Sequence, residues 1–458
     1  VHPNNFDDVK NHLRLYTERF TMLNRNSFVF TILLGGLVAI PPLSTDIGLP
    51  AYSATAAALR TTEPTVALTL SFFMLGFAVG PLFYGPISER FGRRPVLLAG
   101  LGLYLVTSVL CTVTPSIGLL LGSRLFQGFA AASGTVLVVA CIRDLFDGAT
   151  GRKRMSYVLM INGVMPLIAP SIGVFILAAG GWRSIYAFMT AGGVLLMLGV
   201  LFGFAESIPK KSPHALEIWH LLRGYKEVLM HPVSAKAALL NAFGFGVMFT
   251  YISCSPLLFI SNMHVSQHVY GLIFSVTVIG TICGTLFGVF LNGRPAQPTL
   301  VIRLGLSLTA LATFVLLVVS VGDFYRLPVI VALLFASNFG FGLSGPTVSY
   351  AAVQYLPHLA GVASAVLASS QMIVASIAAT LVASLFGVMG PSTMGVVMFG
   401  FALLACGLYA VTPFNAPLEP TSRRGESFRA QTATAGSSVA PPNGPDENIG
   451  QSIDRATR

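Results

Sequence analysis

Twelve runs of roughly twenty apolar residues divide this chain, and each is long enough for a helix to cross a bilayer. Their centres fall near Ala39, Gly76, Tyr104, Ala130, Ile168, Val194, Val247, Ile279, Leu311, Phe335, Met372 and Ala402. The runs are continuous, unlike the alternating ten-residue segments of a membrane β-barrel. Only 10% of the 458 residues are charged, where a soluble domain carries about 25%. The expected fold is an all-α membrane protein, with twelve transmembrane helices in two six-helix bundles.

The polar intervals give the organisation. Numbered from a cytoplasmic N-terminus, inner segments hold 23 Lys and Arg, outer loops hold Arg60, Arg183 and Arg326, and Arg124 lies inside a span. That asymmetry obeys the positive-inside rule and puts both ends in the cytoplasm. It also explains the net charge of +10 without nucleic acid. Residues 1–27 have no signal-peptide core. Phe6, Val9, Leu13, Tyr16, Phe20 and Leu23 fall on one helical face, as in an amphipathic segment lying on the inner membrane surface. Residues 28–205 are expected to form the first six-helix bundle, 206–235 a cytoplasmic linker, and 236–412 the second bundle. The Pro/Ser/Thr/Gly/Ala-rich stretch 413–458 reads as a disordered cytoplasmic tail. Two covalently joined bundles suit a rocking transporter with its site between them.

Charge inside the spans is scarce. Arg124 lies in the run Ile117 to Ile142, and Asp46 is the only carboxylate deep in any span. A charge at mid-membrane costs about 2.5–3.5 kcal/mol on the lenient insertion scale, so such residues face water or a partner. Asp46 lies about nineteen residues from Ser27 and Arg124 about seven from the outer edge of its span, which puts both in the outer half. Pro41, Pro42 and Pro50 are expected to kink or interrupt span one, a feature tolerated beside a cavity. Arg124, Gln127, Gly128 and Ala131 share one face. Burial disfavours a carboxylate and a guanidinium favours it, so an acid set between these influences can load and release a proton. Asp46 and Arg124 are the proton-coupling candidates. The alternative leaves Asp46 as a structural partner of Arg124.

The five cysteines have no metal or redox spacing and no apolar run holds a histidine, so no metal site is expected. A membrane enzyme would need a nucleophile–base pair or a metal cluster, and ATP drive a P-loop; the chain has neither.

The most specific string is Gly85-Pro86-Ile87-Ser88-Glu89-Arg90-Phe91-Gly92-Arg93-Arg94-Pro95, after span two. It resembles the loop-2/3 motif of the major facilitator superfamily. The resemblance implies a gating latch of Gly85, Glu89, Arg90, Gly92, Arg93 and Arg94, with Glu89 reaching the opposite bundle near Pro357 to Gly361. Family members usually carry Asp at that position. Pro41 through Pro50 looks like span one of the bicyclomycin/chloramphenicol-resistance branch of drug:proton antiporters. Arg124-Leu125-Phe126-Gln127-Gly128 is similar to the span-four motif of that superfamily, and Gly180-Gly181-Trp182-Arg183 follows span five as in the branch. Gly163, Pro166, Pro170 and Gly173 resemble the antiporter motif, with Ala169 and Val174 where glycines are usual; small residues at those positions also serve plain helix packing. The second-half loop motif is degraded to Gly288 through Arg294, with no acid.

What the resemblance implies is a proton-driven exporter of small amphipathic molecules in a bacterial inner membrane. It would work by alternating access as a monomer in the lipid bilayer, with a proton gradient and no cofactor. A proton-coupled symporter importing a metabolite is the alternative, and a non-transporting sensor is a third. The substrate-cavity candidates are the polar residues Gln127, Asn162, Asn241, Tyr251, Asn338 and Gln371, although an aromatic in a span more often packs than binds.

Overall fold

Three helices open on hydroxyl caps that the sequence places just ahead of apolar runs. Ser27, Thr62 and Ser116 accept hydrogen bonds from the amides of Phe30, Thr65 and Leu119 at 3.1, 3.3 and 3.4 Å, satisfying amides a helix start leaves free. The structure, a computed structural model, describes residues 23–25, 27–208, 217–292, 298–322, 324 and 326–411. These belong to one compact unit, residues 1–414.

Among the described residues, twelve helices are long and apolar enough to cross a membrane: Phe28–Ala58, Glu63–Phe91, Arg93–Val113, Ile117–Leu145, Gly148–Gly180, Trp182–Gly203, Pro232–Asn262, Gln267–Asn292, Pro298–Val321, Leu327–Gln354, Pro357–Met389 and Ser392–Val411. No strand occurs among the described residues. Spans one to six and seven to twelve form the two six-helix bundles. The expected amphipathic segment lies outside the described residues except for 23–25 and Ser27, and so does the expected tail. Part of the second-half loop motif is likewise outside them. In the linker, 209–216 are not described and Ile218–Met230 is a helix.

Small residues set the closest helix approaches. A Cβ on Gly76 would lie 1.8 Å from the Leu125 carbonyl oxygen, and one on Gly128 1.9 Å from that of Phe73, so spans two and four touch backbone to backbone. The second bundle repeats the device between spans eight and ten, at Gly284 and Gly342.

Span one departs from expectation. Pro41 and Pro42 sit inside an unbroken helix, Phe28–Asp46. The interruption comes after Asp46, where Leu49–Ala51 form a 3-10 turn before the helix resumes at Tyr52. Consecutive prolines forfeit hydrogen bonds but hold helical φ; the loss of regular helix coincides with Gly48 and Pro50. Asp46 is thereby the last residue of its helix, where the helix dipole does not stabilise negative charge.

The hydrogen bonds between the bundles cluster in the half of the spans away from the arginine-rich loops. The Ser71 hydroxyl donates to the Ser376 carbonyl at 2.8 Å and lies 2.6 Å from the Thr380 hydroxyl, while Ser376 returns a bond to the Ser71 carbonyl at 2.9 Å. Gln267 donates to the Pro50 carbonyl at 3.3 Å, and Ser261 bonds Glu63. Deeper in, Ser275 donates to the Leu167 carbonyl at 2.7 Å. Ser71→Ala with Ser376→Ala removes side-chain bonds worth about 1 kcal/mol each. Spin labels at positions 61 and 392 should then report a separated end populated roughly fivefold more per bond lost.

Candidate functional site

Arg124 is buried at 3% exposed on span four. Its Nη1 donates to Gln127 Oε1 at 2.6 Å and its Nη2 to the Ser44 carbonyl at 2.9 Å. The guanidinium carbon lies 4.4 Å from the Phe73 ring centre and 6.0 Å from that of Tyr186. The bonds continue inward. Gln127 Nε2 donates to Ser108 Oγ at 2.8 Å, Ser108 donates to the Tyr104 carbonyl at 2.7 Å, and the Tyr104 and Ser44 hydroxyls share a bond of 2.7 Å. Spans one, three and four are thus tied by one closed polar network inside the first bundle, and such networks hold their members rigidly when satisfied.

Asp46 is the only buried carboxylate among the described residues, at 3% exposed. Its Oδ1 accepts from the Thr45 hydroxyl at 2.9 Å. It forms no ion pair with Arg124, whose contact to span one falls on the Ser44 carbonyl two residues earlier. The two charges share a level in the spans but do not bond to one another. Asp46 is within electrostatic reach of Tyr52, and also of Tyr251 and Tyr270 from the second bundle. Tyr251 accepts from Thr277 at 2.7 Å and stacks on Phe274, while the Tyr270 and Ser255 hydroxyls are 3.0 Å apart. The acid therefore stands at the seam between bundles and the arginine within one of them.

The remaining expected cavity residues do not converge. Asn241 donates to the Gly345 carbonyl at 3.0 Å and Ser349 Oγ at 2.9 Å, and it accepts from Gln371, joining spans seven, ten and eleven. Asn338 is buried with its Oδ1 lacking a partner. Asn162 is half-buried on span five. Gln127 is fully buried inside the first bundle. Of the span-five motif, Gly173 packs on span one, where an added Cβ would lie 2.1 Å from the Ile47 carbonyl, and Pro170 is buried beside it. Pro166 is half-buried. Gly163 is a correction, since it is exposed and an added Cβ would meet nothing within 4 Å.

The loop after span two also differs from expectation. Glu89 is exposed and makes no ion pair or hydrogen bond to 357–361. The helix runs to Phe91, so Ser88 turns inward while Glu89 and the exposed Arg90 fall on the outer side. Arg90 lies over the Phe91 ring. The buried member is Arg93, whose Nε donates to Asp144 Oδ2 at 3.0 Å and whose Nη1 donates to Ser88 Oγ at 2.5 Å. Glu206, after span six, accepts from the Arg93 and Arg94 amides at 2.9 and 3.2 Å, and Arg94 Nη2 donates to the Leu201 carbonyl at 2.6 Å. A carboxylate at this helix start satisfies both free amides and the dipole. The charges of the motif thus fasten the first bundle to itself.

The linker helix spans the gap instead, with Tyr225 donating to the Leu82 carbonyl at 2.8 Å and Glu227 meeting His358 at 3.0 Å. Gly85 lies within the helix, with open space where a Cβ would stand. The turn depends on Gly92, whose φ of 108° is closed to other residues without strain. Gly92→Ala should destabilise the protein by about 1–2 kcal/mol, read as a lower melting temperature with the fold retained.

Several residues of the site are not singled out by the sequence reading: Ser44, Tyr52, Tyr104, Ser108 and Tyr186. The one available signal is on span three, where Tyr104, Thr107, Ser108 and Cys111 recur at helical spacing and leave a polar stripe.

Comparisons with known proteins agree with this architecture. The family model of the Major Facilitator Superfamily matches residues 27–380. The chain is 28% identical over 370 residues to a bicyclomycin resistance protein homolog of Haemophilus influenzae, covering 79% of this chain and 90% of that protein. It is 28% identical over 390 residues to multidrug resistance protein D of Escherichia coli strain K12, covering 84% and 96%. Among solved structures it is similar to a D-xylose-proton symporter, with a TM-score of 0.63 at 17% identity over 84% of this chain and 98% of that one. It is also similar to the human organic anion transporter MFSD10, with a TM-score of 0.58 at 18% identity over 83% and 98%.

Proposed function

Because the chain belongs to the Major Facilitator Superfamily, we propose that it exports small amphipathic molecules, antibiotics among them, in exchange for protons. The observation that carries the coupling is the position of Asp46: the one buried carboxylate among the described residues, at the end of a broken helix, on the seam where the bundles meet. A proton carrier must change charge and must lie where that change alters the fit of the two bundles. Asp46 meets both needs, and Arg124, held by neutral partners within one bundle, meets neither. Arg124 therefore serves as the anchor that holds Ser44, and with it the acid, at a fixed depth.

The relatives support the direction, since two of them are named for bicyclomycin or multidrug resistance. The similarity to the sugar symporter is at 17% identity and speaks for the fold alone. Placing the arginine-rich loops in the cytoplasm makes the bonded half of the seam the outer one. The conformation is then sealed outside, the state in which an exporter takes cargo from the cell. Protonation of Asp46 from outside and its release inside would alternate with substrate, each form favouring one closure of the seam.

Vesicles turned inside out test the direction. A pH gradient, acid inside, should drive accumulation of phenicols or cationic dyes, and a protonophore should abolish it. Proton-driven accumulation by right-side-out vesicles instead would overturn the export reading.

A further inference from the structure

Beside Arg124 the first bundle holds a small, partly open cavity of about 20 Å³, lined from spans one, two, four and six. That is room for one water-sized occupant. The Nε–H of Arg124 lines it and is buried without an acceptor; the hydroxyls of Tyr52 and Tyr186 line it too and make no hydrogen bond to the described residues. Tyr52 and Tyr186 each interact electrostatically with Arg124 and with one another, so the three donors surround one space.

The charge balance is as uneven as the hydrogen bonding. Every partner of Arg124 is neutral: a carbonyl, a carboxamide and two aromatic faces. The only buried carboxylate among the described residues, Asp46, bonds Thr45 and makes no ion pair with it. Buried charges are normally paired. A water in the cavity would satisfy the Nε–H but leave the cation uncompensated, whereas a small anion would do both.

We propose that this cavity is a binding site for a monovalent, chloride-sized anion, held by Arg124 Nε, Tyr52 and Tyr186 as the counter-ion of the buried arginine. The site lies wholly in the first bundle. It stands whether or not transport is driven by protons, and it makes the polar network of span four dependent on the surrounding halide.

The test is the thermal unfolding of the purified full chain in detergent, comparing sodium chloride, bromide, sulfate and gluconate at equal ionic strength. Chloride and bromide should raise the melting temperature saturably, by about 2 °C at tenfold excess over the dissociation constant. Sulfate and gluconate, too large for the cavity, should not. Tyr52→Phe should weaken the apparent chloride affinity roughly tenfold, the loss of one bond to a charged group. Arg124→Gln should abolish the shift. Arg183→Gln, whose residue lies at the same end of the spans but does not line the cavity, should keep it. Equal melting temperatures in chloride and gluconate, a shift that survives Arg124→Gln, or a shift lost in Arg183→Gln would each overturn the proposal. Should Arg124→Gln fail to fold, the wild-type anion series and Tyr52→Phe decide the matter.

Discussion

Asp46→Asn should give a folded protein that no longer drives uphill export. Asparagine has the shape of the acid and keeps an oxygen for the Thr45 hydroxyl, which is the acid's one hydrogen-bond donor at 2.9 Å. No ion pair is broken, because Arg124 bonds the Ser44 carbonyl and Gln127 instead. Stability should therefore change by less than about 1 kcal/mol. Transport should behave differently. Cells carrying the variant should fall to the antibiotic sensitivity of cells without the protein. Energy-independent exchange of substrate across vesicles should continue, since it needs the moving bundles but not the proton. The alternative, in which the acid only steadies Arg124, predicts the reverse pattern of lowered melting temperature and retained uphill export.

Gly128→Val should have the largest effect on the fold. An added Cβ would lie 1.9 Å from the Phe73 carbonyl oxygen and 2.8 Å from its carbon. Both are backbone atoms, so no rotamer change relieves the contact, and spans two and four must move apart. The expected loss is about 3 kcal/mol or more. The displacement would reach Gln127 in the same turn, and with it the Arg124 network. Folded yield on gel filtration and melting temperature are the readouts. Gly163→Val is the matched control: it also falls in a motif but faces open space, and it should stay within about 0.5 kcal/mol of the parent. Equal effects at the two positions would contradict this account of the packing.

The contrast between these glycines shows where the sequence was legible. Apolar runs and the turn glycine Gly92 act locally, and each does in the structure what its type dictates. Asp46 and Arg124 stood out because a charge in a span is costly enough to be rare. Their shared level also followed from counting residues. Their partners did not, because a guanidinium can turn to any acceptor within reach and composition does not say which is nearest. Glu89 reaches no partner at 357–361 in this conformation for a related reason. One residue along a helix is a rotation of about 100°, so Ser88 faces the core and Glu89 the outside.

Tyr52, Tyr104 and Tyr186 escaped notice because an aromatic in an apolar run usually packs. Their hydroxyls became meaningful only once spans one, three, four and six were brought around Arg124. Asn241 and Gln371 were visible as polar groups, yet their mutual bond across spans seven and eleven depends on the second bundle's assembly. The position of Asp46 on the seam, rather than inside the first bundle, was equally a tertiary fact. It arises because span one breaks after Asp46 rather than at the paired prolines.

The coupling itself is tested most directly by proton movement in proteoliposomes holding the purified protein, with a pH indicator and an added phenicol. Addition of substrate should move protons in the direction opposite to substrate flux, and Asp46→Asn should move none. Protons travelling with the substrate, or antiport undiminished in Asp46→Asn, would contradict the assignment of Asp46 as the carrier.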